Sequence, residues 1–415
     1  MTTTPQLVRE TQKIIELLST ELGEQLESSI TTAVEQLRAV QGDEQLEKAI
    51  VESLETKLGD LVGAWSQYSA TVSTEYLELM NQETGAYAGQ PLYTYNAGEY
   101  VTNLDKIASI YSNQPASYWA NMSGTNRKKL VSRLRAESLQ TGNNFIAHIA
   151  SKTGERCAIV TRGKTCAFCT MLSSRGYVYH VQHMPHLHDD CDCVLMPRSY
   201  GEHIGYDYSE AWHQYYIART LWDANKSKSP TDNDMTQLMR HLFREKYTDI
   251  PTAPEKSKTY GDGSLSEVAY SRFLRATTEK YLQLKKSGAL PDNAKLPPLT
   301  PYMVPEKLTK ALEEKGLKLT TKQWNHILVG SYNKKDRKNK PFGGGHLYGH
   351  GWKALEETEF TKKVTPEKVC EIILQTLTGE KMQLKNTVKY VKKIDGEIYE
   401  LHMRGPKIIT IYTRE

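Results

Sequence analysis

Lys407-Ile408-Ile409-Thr410-Ile411-Tyr412-Thr413 is dense in β-branched residues, and the two segments before it, 387–391 and 397–403, have the same alternating or β-branched character. Such side chains suit a pleated, half-buried surface, so the three segments predict a closing set of antiparallel strands. The other end of the chain has a different period. Leu18, Leu22, Leu26, Ile30, Val34 and Leu37 step by three or four, and so do Leu46, Ile50, Leu54, Leu58 and Leu61. Between them Gln41-Gly42-Asp43 breaks the pattern. One-sided apolar stripes with charged outer faces predict two long helices forming a hairpin or an arm. Helices first and strands last make the class α+β.

Between these ends, residues 65–120 read as mixed, Tyr-rich helix and loop, and 127–149, 208–224, 306–316 and 365–377 read as helices. Pro366 stands in the first turn of the last one. Five of the 16 prolines, Pro291, Pro297, Pro298, Pro301 and Pro305, fall within 287–305, a composition expected of an extended, semi-rigid spacer. The expected organisation is a helical arm over 1–64, a second α+β domain over 65–225, a linker or adaptor over 226–305 and a C-terminal α+β domain over 306–415. A chain of 415 residues is expected to hold more than one domain.

The net charge of +4 is unevenly spread: residues 301–415 hold 22 Lys/Arg against 14 Asp/Glu, or +8, which leaves −4 for the rest. A basic module suits an anionic partner such as nucleic acid. No signal sequence or apolar run near the ~18 residues of a membrane span is seen, so a cytosolic protein without membrane contact is expected. In that reducing compartment, two short cysteine pairs favour metal over disulfides. They are Cys166-Ala167-Phe168-Cys169 and His188-Asp189-Asp190-Cys191-Asp192-Cys193. Zinc takes four Cys or His ligands, so Cys166, Cys169, His188, Cys191 and Cys193, with His186 as an alternative, are candidate ligands. Buried thiols bracing a small fold, or a redox pair, are the competing readings.

The string Cys166-Ala167-Phe168-Cys169-Thr170-Met171-Leu172-Ser173-Ser174-Arg175-Gly176, ending in His-x-x-Cys-x-Cys, resembles the Mu F-like minor head (head morphogenesis) proteins of tailed bacteriophages, especially actinobacterial ones. The resemblance covers about residues 100–200. It implies a virion protein inside the phage head near the portal, present in few copies, with portal and capsid proteins as partners.

Two histidines sit in Trp324-Asn325-His326-Ile327-Leu328 and Gly343-Gly344-Gly345-His346-Leu347-Tyr348-Gly349, either side of a basic tract at 333–340. Two imidazoles can act as an acid/base pair near neutral pH. Glycines would let the backbone approach a ligand, and the basic tract would attract phosphate. With Lys407-Ile408-Ile409-Thr410-Ile411-Tyr412, these residues resemble the bacterial EndoU ribonuclease domain over about the last 110 residues. The resemblance implies RNA cleavage to a 2′,3′-cyclic phosphate, with His326, His346 and Thr410 catalytic and no metal required. Tyr412 would meet the base, and Lys407 and Gly345 would lie along the substrate. Relatives with a catalytic lysine point to Lys407 or Lys393 as a further charge. Spacing does not assign which histidine is base and which is acid.

The joined halves look like a phage-borne toxin acting in a bacterial cytoplasm, whose producer would need an immunity protein, acidic to complement the basic module. Two alternatives stand beside this. One is a purely structural head protein with a DNA-binding tail. The other is a metal-dependent DNase with His326 and His346 as ligands.

Overall fold

The computed structural model describes residues 6–85, 104–161, 165–180, 193–247, 258–332, 342–353 and 358–414. They form a mixed α+β protein, helical at its N-terminal end, with small antiparallel sheets. The chain divides into two compact units: residues 1–213 with 246–249, and residues 214–245 with 250–415.

The first unit opens with α1 (Gln6–Ala39) and α2 (Glu44–Thr84), followed by α3 (Leu104–Tyr111), α4 (Ala116–Ala120) and α5 (Gly124–Lys152). The turn between α1 and α2 is the one expected from Gln41-Gly42-Asp43: Gly42 takes φ +97°, and the Asp43 side chain caps α2 by accepting from Leu46 N. The apolar stripes meet in one core that includes Leu22, Leu26, Ile30, Leu37, Leu58, Val62, Trp65 and Leu134. Burial of each large side chain stabilises the bundle by roughly 1.5–3 kcal/mol. The second helix runs on to Thr84, well beyond the expected end near residue 64. Its buried positions there include Ser66, Ser69, Ala70 and Ser73, which let α5 come very close. A Cβ on Gly142 would lie 2.4 Å from Ser73 Oγ and 2.7 Å from Ser69 O, and Gly142 N donates to Ser69 Oγ at 3.2 Å. After α5 come β1 (Cys157–Val160), α6 (Ala167–Ser173), β2 (Val194–Pro197) and α7 (Arg198–His203). Strands β1 and β2 pair antiparallel and are wholly buried. Buried Asn143 of α5 fixes β2 at the two peptides that flank Val194, donating to Cys193 O and accepting from Leu195 N, each at 3.0 Å.

Helix α8 (Ser209–Asn225) leads to the second unit, with α9 (Asp232–Leu242), the short hairpin β3 (Thr259–Tyr260) and β4 (Leu265–Ser266), and α10 (Glu267–Lys286). Then follow α11 (Glu306–Glu313), α12 (Thr321–Leu328), the hairpin β5 (Ser331–Tyr332) and β6 (Phe342–Gly343), and α13 (Pro366–Thr376). The chain closes with β7 (Glu380–Gln383), β8 (Val388–Ile394), β9 (Glu397–Arg404) and β10 (Lys407–Arg414). The last four form one antiparallel sheet in the order β10-β9-β8-β7. Three of its strands are those expected; β7, Glu-Lys-Met-Gln on an edge, lacks the β-branched signature. Helix α13 covers β8 and β9, and α12 packs on β10.

The Pro-rich residues 287–305, expected as a spacer, lie inside this unit and are tied to it. Asn225 Nδ2 donates to Pro297 O at 3.1 Å and the Tyr270 hydroxyl to Pro298 O at 2.7 Å. Lys295 N donates to Gly349 O at 2.7 Å, and Trp352 Nε1 to Lys295 O at 2.9 Å. Buried Asn325 holds both polar atoms of the Tyr302 backbone. Proline keeps such a segment extended without helix or strand, yet its carbonyls still bind partners. Upstream, Asp262 and Ser264 accept from the first amides of α12, Thr321 N and Lys322 N. A fragment of residues 306–415 loses all of these partners and is expected to be unfolded or molten, whereas residues 230–415 should melt cooperatively. A sharp calorimetric transition from the shorter fragment would contradict this.

Candidate active site

Helix α12 ends in carbonyls that its own turns cannot satisfy. The glycine-rich loop satisfies them: Gly345 N donates to His326 O at 2.9 Å, His346 N to Ile327 O at 2.7 Å and Leu347 N to Leu328 O at 3.1 Å. Gly344 has φ +70°, and a Cβ there would sit 2.0 Å from His326 O. Gly345 has φ +86°, and its Cβ would meet His350 O at 2.9 Å. The glycines are thus needed for close approach to α12. Gly345, expected to face a ligand, is packed inward. The loop brings His326 and His346, 20 positions apart in sequence, to adjoining backbone.

His346 is only 6% exposed. Its Nδ1 lies 3.0 Å from both Thr358 O and Thr358 Oγ1. A carbonyl only accepts, so Nδ1 carries the hydrogen and Nε2 faces Thr410 Oγ1 at 3.1 Å as acceptor. The ring of Tyr412 lies 5.6 Å from the His346 ring. His326 is held at Nδ1 by Ser331 Oγ, 2.8 Å away, which leaves chemistry to Nε2. Burial first, then Lys353 and Lys322, push its imidazole below the usual histidine range and favour the neutral form. Thr410 and Tyr412 face His402 and Glu400 across the β10–β9 ladder. Tyr412 stacks on His402, donates to Glu400 Oε2 at 3.3 Å and accepts from His402 Nε2 at 3.0 Å. For buried Glu400, burial works against ionisation, but Lys389, followed by His402 and Tyr412, outweighs it and holds the pKa down.

The structure therefore brings His346, Thr410 and Tyr412 together and places the His326 backbone against the His346 loop. Lys407 is exposed at the first position of β10, where the strand meets Lys318, and no contact links it to the histidines among the described residues. The basic tract at 333–340 lies outside the described residues. Sequence reading missed Ser331, Thr358, Glu359, His402 and Glu400. Glu359 orders the loop by accepting from Gly349 N at 3.1 Å and Gly351 N at 2.6 Å. His402 and Glu400 carried a signal: they alternate with the buried Leu401 and Met403, polar groups in phase with Thr410 and Tyr412.

Behind the loop stands Lys353, 4% exposed, whose Nζ has no hydrogen-bond partner among the described residues. It lies 5.2 Å from the Phe273 ring centre, and Cβ atoms on Gly330 and Gly345 would come within 2.7 and 3.1 Å of it. Burial pushes its ammonium down to about 7, against a pull upward from Glu359. His350, four residues after His346, is buried, and its pKa is pushed down to about 3 by burial, then by Lys353 and Lys295.

In the first unit Cys166 caps α6, its Sγ accepting from Cys169 N at 3.2 Å. Cys166, Cys169 and Cys193 are buried, and no disulfide joins the described cysteines. His188 and Cys191, like His186, lie outside the described residues. Among those described, no group of three or more His, Cys, Asp or Glu could hold a metal.

The family profile of the VG15 protein matches residues 3–218, just over half of the chain. The chain belongs to the VG15 protein family. It is accordingly a phage-related protein, with the matched span ending ahead of every residue of the histidine site. No curated protein and no solved structure matches the chain. No helix among the described residues is long and apolar enough to cross a membrane.

Proposed function

We propose that this VG15 family member is a minor head protein, sited inside the phage head near the portal, whose second unit is a metal-independent endoribonuclease acting as a toxin in the bacterial cytoplasm. The observation that carries the enzymatic part is the contact of His346 Nε2 with Thr410 Oγ1 beside the backbone pairing that sets the His346 loop against the His326 turn. Two imidazoles stand on adjoining backbone, one neutral by its surroundings, the other in a fixed tautomer beside a hydroxyl. One imidazole takes the proton of the ribose 2′-OH, and the 2′-oxygen attacks the adjacent phosphorus. The other protonates the departing 5′-oxygen, leaving a 2′,3′-cyclic phosphate. Once His346 Nε2 carries a proton it donates to Thr410 Oγ1, which frees the Thr410 hydroxyl hydrogen for the phosphate as charge builds there. Tyr412, backed by His402, offers a stacking face for the base. The nucleophile belongs to the substrate, so His326 and His346 need no metal.

A DNA-binding tail would need only Lys and Arg. Cleavage of RNA by the full chain should survive EDTA and stop when the ribose at the cut site is 2′-deoxy. Efficient cutting of that 2′-deoxy substrate would refute the mechanism. A producer cell would need a cognate immunity protein, acidic to complement the +8 segment over 301–415.

The head reading rests on family membership and on the Cys-x-x-Cys segment. Cys166 Sγ already accepts an amide hydrogen, as metal-bound thiolates do, and Cys193 is buried at the start of β2. Four ligands drawn from Cys166, Cys169, His188, Cys191 and Cys193 would hold one structural zinc. About one zinc per chain is expected by metal analysis of reduced protein, and Cys166→Ser should destabilise the first unit. Metal-free protein of unchanged stability would remove zinc from the proposal.

A further inference from the structure

A cavity of about 190 Å³ lies between α9, the 3-10 turn Arg244–Lys246 and α10. Three guanidinium groups, Arg240, Arg244 and Arg272, line it together with His241. Arg244 and Arg272 enter no ion pair and no side-chain hydrogen bond among the described residues. The two carboxylates at the cavity form their ion pairs with other groups, while Arg272 also helps to hold Glu245 ionised. Glu245 pairs with Arg275, whose guanidinium lies over the Phe243 ring at 5.4 Å. Glu267 pairs with His241 Nδ1 at 3.3 Å.

The order Ser271–His241–Glu267, with Ser271 Oγ 2.7 Å from His241 Nε2, has the connectivity of a nucleophilic triad. Ser271, however, is 5% exposed in the interior of α10, whose amides are taken up by the helix itself, so no oxyanion donors stand beside it. Its hydroxyl braces the imidazole instead. What remains is a cavity wall lined by three guanidinium groups. Like charges facing a shared cavity repel, and an anion placed among them removes that repulsion while taking charge-assisted hydrogen bonds. Guanidinium forks match the oxygens of a phosphoryl group in particular.

We propose that this cavity is a phosphoryl-binding site, with Arg244 and Arg272 as its principal ligands and Arg240 at its rim. The volume admits a phosphoryl group with part of the sugar that carries it. Two sources supply that chemistry: a free phosphate or nucleotide, and a phosphate of a nucleic-acid strand.

Calorimetric titration of the full chain with inorganic phosphate, and separately with a single-stranded 2′-deoxy oligonucleotide, tests it. Neither probe can be cleaved by the proposed ribonuclease, so failure of that reading leaves this measurement untouched. In the double variant Arg244→Gln/Arg272→Gln, phosphate binding is expected to weaken at least about tenfold, the scale of a lost charge-assisted contact. If the strand is the source, oligonucleotide binding should fall with it, and the slope of log K against log salt should drop by about 0.7 per arginine that meets a phosphate. If only phosphate binding falls, the site serves a free anion. Unchanged binding of both probes in a folded double variant, or no binding of either by the unaltered chain, would overturn the proposal. Glutamine keeps most of the arginine stem, and circular dichroism identifies any variant that fails to fold.

Discussion

His346→Ala is expected to lower RNA cleavage by at least about a hundredfold, and His326→Ala by a similar factor, the usual effect of losing a general acid or base. The two variants should differ in stability. His346 is almost fully buried and bonded to Thr358 and Thr410, so its truncation leaves polar groups without partners, at roughly 1–3 kcal/mol. His326, held by one side-chain bond to Ser331, should cost less. His346→Asn separates chemistry from folding, because the asparagine amide can still donate to Thr358 O while offering no titratable group. Thr410→Ala should show a smaller loss, and Tyr412→Ala should mainly weaken base preference. Wild-type-like cleavage by His346→Asn, measured on a fluorogenic oligoribonucleotide, would exclude His346 from the chemistry.

Lys353→Met is expected to make the second unit more stable at neutral pH, on the order of 2 kcal/mol or more, because methionine fills the same stem volume without a buried charge. The direction with pH follows from the same cause. In the unfolded chain lysine keeps its proton to about 10.4. In the folded chain burial brings the ammonium down to about 7. Between those values the unfolded state binds a proton that the native state does not, so wild-type stability should rise with pH across this window and be flat below it. Lys353→Met should lose that slope. Removing the cation should also relax His326, whose imidazole Lys353 helps keep neutral, and move the acidic limb of the rate profile upward. Urea unfolding at pH 7 and near pH 9.5 reads the first effect. A variant less stable at pH 7, with its slope intact, would mean that Lys353 sits in a favourable ion pair.

Much of this molecule was legible in its residues. Leu18 to Leu61 announce α1 and the first half of α2 because a helix buries one stripe, and that stripe recurs every three or four residues. The strands β8, β9 and β10 were legible for the matching reason at period two. The rest of α2 was hidden because its buried face there is Ser66, Ser69, Ala70 and Ser73, chosen for close helix approach rather than for apolarity. Strand β7 was hidden because an edge strand buries little. The Pro-rich segment was read for its stiffness, whereas its carbonyls and the Tyr302 and Lys295 backbone groups bind into the second unit.

The sequence by itself determined the chemistry available: two histidines, a hydroxyl and an aromatic ring in motifs local enough to be recognised. Only the tertiary structure decided how they are held. The glycines serve the end of α12, since a loop must satisfy those carbonyls. Thr358 sets the His346 tautomer, and Glu400 anchors Tyr412 and His402. Lys353 lies buried over the Phe273 ring, helps hold the His326 pKa down, and has no hydrogen-bond partner for its Nζ among the described residues. Each of these depends on a contact between residues distant in the chain, where no period or spacing carries a signal.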